Sequence, residues 1–111
     1  MREHRFFVSG EIDLAEASHL RDELLATIRR SKGNLALDFS DVTFLDCAGI
    51  RVLMEVASLL RSRGRPFRLV HVARTPRRPL EVLGMTEVLH VEGGPQPQTE
   101  PLPTGAVRGA R

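Results

Sequence analysis

Leu35-Ala-Leu-Asp-Phe-Ser-Asp-Val-Thr-Phe-Leu-Asp-Cys-Ala-Gly-Ile-Arg-Val-Leu53 is the stretch whose reading decides the fold. A short apolar run, Leu35 to Phe39, reads as a strand. A polar turn follows, then an acidic residue, and an apolar helix begins at once. Asp46 is a good N-cap for that helix, which the spacing predicts from about Cys47 to Arg63, with Gly64 as its stop. Asp46 and Cys47 therefore stand at the mouth of a strand-to-helix junction, with the first N–H groups of the helix facing outward. Such a terminus attracts anions and lowers the pKa of a thiol placed on it.

The flanking sequence repeats the alternation. Phe6-Phe-Val-Ser is a β-prone run ended by Gly10. Ala17, Leu20, Leu24 and Ile28 then recur at helical spacing, with Leu25 beside them, until Gly33-Asn34 stops the helix. Phe67 to Val72 is a further strand. Thr75-Pro-Arg-Arg-Pro opens a short helix in which Leu80, Val82 and Leu83 supply apolar contacts before Gly84. Val88 to Val91 is a short last strand. Strands alternating with helices predict one α/β domain over 1–92, with about four strands and helices packed on the sheet. The proline- and glycine-rich stretch 93–111 holds only Leu102 and Val107 as large apolar residues and reads as a disordered tail.

Composition narrows the function classes. The chain has 111 residues, 41% hydrophobic and 27% charged, which suits a single small globular domain. No apolar run approaches the ~20 residues of a membrane span and no secretory signal precedes Phe6, so a cytoplasmic location without membrane insertion is expected. One cysteine excludes an internal disulfide and agrees with a reducing compartment. A net charge of +2 and 5% aromatics do not describe a direct nucleic-acid surface. Of the 16 basic residues only Lys32 is a lysine, a bias that fits a GC-rich genome better than a chemical requirement.

Two motifs, Val8-Ser-Gly-Glu-Ile-Asp-Leu14 and Asp38-Phe-Ser-Asp-Val-Thr-Phe-Leu-Asp-Cys-Ala-Gly-Ile-Arg-Val-Leu53, resemble the signature of the STAS family, the anti-sigma factor antagonist domain. The resemblance spans roughly Phe6 to Val91. It implies a small mixed sheet flanked by helices, without catalytic apparatus or cofactor. Members of this length typically bind an anti-sigma factor that is also a protein kinase, a histidine-kinase-like ATPase, in a partner-switching system. Others bind subunits of ABC-type transporters or sense small molecules. The resemblance also implies that the first hydroxyl residue of the junction is the phospho-acceptor. Here that position is Cys47, followed by Ala48, so the usual phosphorylation switch is expected not to operate. With few residues before Gly10, the family's preceding edge strand is expected to be absent or shortened.

The residues themselves admit several readings. Cys47 reads as a small residue tolerated in a tight turn, or as a redox-responsive thiol. Catalysis has no support, because His4, His19, His71 and His90 lie on different elements, and no Cys/His spacing resembles a metal-ligand set. Asp13, Asp41 and Asp46 converge at strand ends, where turn and cap roles compete with partner recognition. Ile50, Leu53, Met54, Ala57 and Leu60 form one apolar stripe for the sheet. Val52, Val56 and Leu59 form a second, for a neighbouring helix or a partner. Arg51 and Glu55 stand at ion-pair spacing on the polar back. The resemblance to the STAS family implies a partner surface that comprises Asp13, Asp46, Cys47, Ala48, Gly49, Arg51 and Val52. If 93–111 buries little, its removal leaves the melting temperature of the domain within a few degrees of the full chain, as calorimetry on the two forms checks.

Overall fold

The structure, a computed structural model, describes residues 3–92. Its elements alternate as read: β1 (Glu3–Ile12), α1 (Leu14–Arg30), β2 (Asn34–Leu45), α2 (Cys47–Ser62), β3 (Phe67–Val70), α3 (Arg74–Val82) and β4 (Val91–Glu92). The α/β class and the four strands are as expected, and the strands lie in the order β1-β2-β3-β4. The sheet, expected to be mixed, is parallel throughout among the described residues. Each connection carries a helix, and a helical crossover returns the chain to the same end of the sheet, which forces parallel pairing. The tail expected over 93–111 lies outside the described residues.

β1 and β2 run well past their predicted ends. The chain passes through Gly10 at φ +84 without leaving the sheet. β2 carries two extra residues against β1: Phe7 and Ser9 face Asp38 and Asp41, while Gly10 and Glu11 face Val42 and Phe44. These bulges break the two-residue alternation after Phe39 and so hide the second half of the strand from a periodicity reading. β3 ends early, at Val70, because His71 takes a left-handed conformation at φ +59 and turns the chain out of the sheet. β4 shrinks to two residues because the amides of Leu89, His90 and Val91 are spent on turn carbonyls of Met85, Glu87 and Thr86. β1 forms one edge of the described sheet.

One core lies on one face. Ala17, Leu20, Leu24 and Ile28 of α1 meet Leu35, Leu37 and Phe39 of β2, together with Ile50, Leu53 and Leu60 of α2 and Leu80 of α3. Full burial of one such side chain is worth about 1.5–3 kcal/mol, so this face supplies most of the driving force. Val52 and Val56 are buried too, and α2 lies beside α1. The second stripe is therefore helix–helix packing. Met54, assigned to the sheet stripe, is 41% exposed. Glu55 pairs with Arg21 of α1 at 2.7 and 2.9 Å, not with Arg51. On α3 only Leu80 of the three expected apolar contacts is buried, whereas Val82 and Leu83 face solvent. Arg65, just beyond α2, closes the carbonyl end of α1 by donating to Ile28 O, Gly33 O and Ser31 Oγ.

The opposite face is laced with charge. Arg68 bridges Glu3 on β1 and Glu92 on β4, across β2. Arg5 bonds Asp38, and Ala36, which sits between Arg5 and Arg68 in register, is fully buried. Asp38 is 3% exposed and accepts from Ser40 N, Ser40 Oγ and Arg5. Burial pushes its carboxyl pKa up, but the two bonds from Ser40, the field of His71 and the Arg5 bond together hold it below the ordinary value. A depressed folded pKa contributes stability above the unfolded value of about 4, which is lost as pH falls through the folded value. Asp38→Asn is accordingly expected to cost about 1–3 kcal/mol at pH 7. In urea melts, the gap to wild type closes as pH falls from 5 towards 2; a gap that stays constant means that the ionised carboxylate contributes nothing.

Candidate functional site

The pairing Ile12↔Leu45 ends β1 and β2 side by side, so Asp13 and Asp46 follow at adjacent strand ends. Each carboxylate caps the helix after it. Asp13 Oδ1 accepts from Glu16 N at 3.0 Å, and Asp46 Oδ1 accepts from Ala48 N at 2.9 Å and Gly49 N at 3.2 Å. The cap readings of these two aspartates are thus realised. The reading of the α2 start as an open anion site is not, because Asp46 already occupies its amides. Asp41 lies back along β2, opposite Ser9, and does not join the two caps at the strand ends.

The junction is held from below as well. Asp46 N donates to Ile12 O, and Ile50 N donates to Asp46 O. Gly49 is buried against this seam. A Cβ there would lie 2.6 Å from Leu45 Cδ1, 2.8 Å from Ile12 Cγ2 and 3.4 Å from Ile12 O. Glycine is required for helix–sheet approach, and the position offers no surface to a partner. Val52 is equally inside, 7% exposed, and Ala48 is half-buried against the core. Of the expected partner residues, Asp13, Cys47 and Arg51 are the exposed ones. Cys47 is a free thiol in the first turn of α2, one helical turn before Arg51.

Two apolar residues that sequence reasoning passed over join this end of the molecule. Leu14, directly after Asp13, is 75% exposed, and Phe44, two residues before Asp46, is 44% exposed. Leu14 sits in the first turn of α1, immediately past the end of β1. A helical projection would have set it at the margin of the Ala17–Ile28 stripe. Phe44 pairs with Glu11 on the face opposite Leu45; the two bulges cancel, so it keeps the even-numbered side of Ala36 and Asp38. Among the described residues no group of His, Cys, Asp or Glu is arranged to hold a metal ion. No described helix is long and apolar enough to cross a membrane.

Comparison with known proteins decides the family. Residues 3–91 match the family model described as Mlab, STAS domain. The chain belongs to the STAS domain family. The chain is also similar to the anti-sigma-B factor antagonist of Bacillus subtilis (strain 168), with 24% identity over 93 residues, covering 80% of this chain and 84% of the relative. The family match takes in the whole β1–α1–β2–α2 unit that builds the junction.

Gly49 supplies a stability test of this STAS domain. Replacing glycine by alanine in a helix gains at most about 1 kcal/mol of propensity, and less in the first turn. Forcing a methyl against the stiff Ile12 branch costs about 1–3 kcal/mol. Overpacking wins, and Gly49→Ala is expected to lose about 1 kcal/mol net in a denaturant melt, with Gly49→Arg losing far more. Equal or higher stability of the alanine variant would mean that α2 can lift from the sheet without cost.

Proposed function

We propose that this STAS protein is a non-enzymatic partner-switching module, an antagonist-like binder of an anti-sigma factor of the histidine-kinase-like ATPase type. The partner is held by the surface around Asp13, Leu14, Cys47 and Arg51. Asp46, Ala48, Gly49 and Val52 support this surface from beneath. The observation that carries the reading is the exposure of Cys47 on the first turn of α2, above a capped and glycine-seated helix start. A rigid backbone with outward side chains suits recognition, since little entropy is lost on docking. The similarity to an anti-sigma-B factor antagonist supports the same choice of partner.

Cys47 sets how the module is controlled. The resemblance places the phospho-acceptor of other members at this position, and a thiol offers a serine kinase no hydroxyl. The binding-competent form therefore persists where other members would be phosphorylated. A phosphate here would add about −1.5 to −2 charge beside the Asp46 carboxylate, which is already committed to the α2 amides. That charge would repel a partner docked on the helix start. The match to the Mlab-type STAS model favours a second reading, an accessory subunit of an ABC-type lipid or anion transport system, using the same surface. Affinity purification from the native cell separates the two by the ATPase recovered, an anti-sigma kinase or a transporter subunit.

With the cognate kinase, Cys47→Ser is expected to take up phosphate and wild type to take up none at this position. Cys47→Asp should behave as the dissociated form. Arg51→Glu is expected to weaken association at least tenfold, ~1.4 kcal/mol, without a change in melting temperature. Stoichiometric phosphate on wild-type Cys47, or unaltered binding by Arg51→Glu, would overturn the assignment of this surface.

A further inference from the structure

At the far end of α2 from Cys47, a pocket of about 210 Å³ opens between the last turns of the helix, the start of β3 and the turn before β4. Ala57, Phe67 and Val88 give it apolar walls, and Arg61, Arg65 and His90 supply every ionisable group that lines it. The volume lies below the ~300–1,000 Å³ of small-molecule sites and suits one large side chain. Val88 is 41% exposed and forms an apolar lip at the surface.

The charges are arranged for a partner. No carboxylate lines the pocket. The Arg65 guanidinium is bonded to the end of α1, which leaves Arg61 as the arginine available to meet an anion at this pocket. Arg61 is exposed and takes part in no ion pair among the described residues. We infer that this pocket is a socket for one leucine- or phenylalanine-sized side chain presented within an acidic peptide segment of a partner protein. The carbonyl end of α2 opposes an anion here. The apolar anchor therefore carries the affinity, while the cationic rim selects the sequence that bears it. The span from Cys47 to Arg61 along the helix is about 21 Å, so the socket lies beyond the helix-start surface and does not depend on the function proposed for it.

The test uses the full chain, isotope-labelled, and a fluorescent pentapeptide with one phenylalanine flanked by two acidic residues on each side. Saturable binding is expected, with amide shifts centred on Ala57, Phe67 and Val88. Alanine in place of the phenylalanine, or lysines in place of the acids, should weaken binding at least tenfold. Arg61→Glu should do the same, whereas Arg51→Glu should leave affinity unchanged. Ala57→Leu, which fills the pocket, should abolish the shifts at Phe67 and Val88, its fold being verified by the remaining spectrum. The inference is overturned if the alanine peptide binds equally well, if Arg61→Glu has no effect, or if the shifts centre on Cys47 to Val52. Pocket shifts that grow with protein concentration in the absence of peptide would overturn it in favour of a second copy of this chain as the occupant.

Discussion

The seat of Gly49 on Ile12 and Leu45 is the contact on which the functional end depends. It joins the last pair of the β1–β2 ladder to the first turn of α2 at a distance where even a methyl group would crowd Leu45 and Ile12. With the helix start pressed onto the strand ends, Asp46 N reaches Ile12 O and the Asp46 carboxylate folds back onto Ala48 and Gly49. The backbone of the junction is thereby satisfied internally. What remains for a partner is side chains on a rigid frame. Cys47, exposed in the first turn of α2, lies outside the seam that Gly49 closes.

The two faces of the sheet solve different problems. Three helices bury one face in a single apolar core, and that burial dominates stability. The other face carries charged side chains that interlock across all four strands through Arg68, Glu3 and Glu92, with Arg5 closing on the buried Asp38. Exposed ion pairs of this kind add little free energy. Their effect is positional: arginine stems lie over Ala36 and keep the middle of an uncovered parallel sheet away from water. A parallel sheet normally needs cover on both faces, and here long charged side chains stand in for a second helical layer.

α2 has two ends of contrasting character. Its N-terminal end is closed, capped and glycine-seated, with a thiol and an arginine outward. Its C-terminal end borders a small apolar recess ringed by cationic groups. α2 lies beside α1 and over the sheet along its length. The two regions proposed as contacts thus lie at opposite ends of one helix, about 21 Å apart.

The order of elements, the core face of α1, the start of α2 and both capping aspartates were legible in the sequence, because local rules govern them: helical spacing, cap chemistry and glycine stops. Tertiary structure decided what depends on neighbours distant in sequence. Bulges set by the mismatch of β1 and β2 turned Val42 into the core and hid the continuation of β2 past Phe39. The proximity of α1 claimed Val52 and Val56 for the core, left Met54 at the surface and gave Glu55 to Arg21 in place of Arg51. The approach of α2 to the sheet turned Gly49 and Val52 from surface into foundation. Side-chain periodicity reports which face of an element is apolar, but only packing determines how much of that face is covered and how close two backbones come.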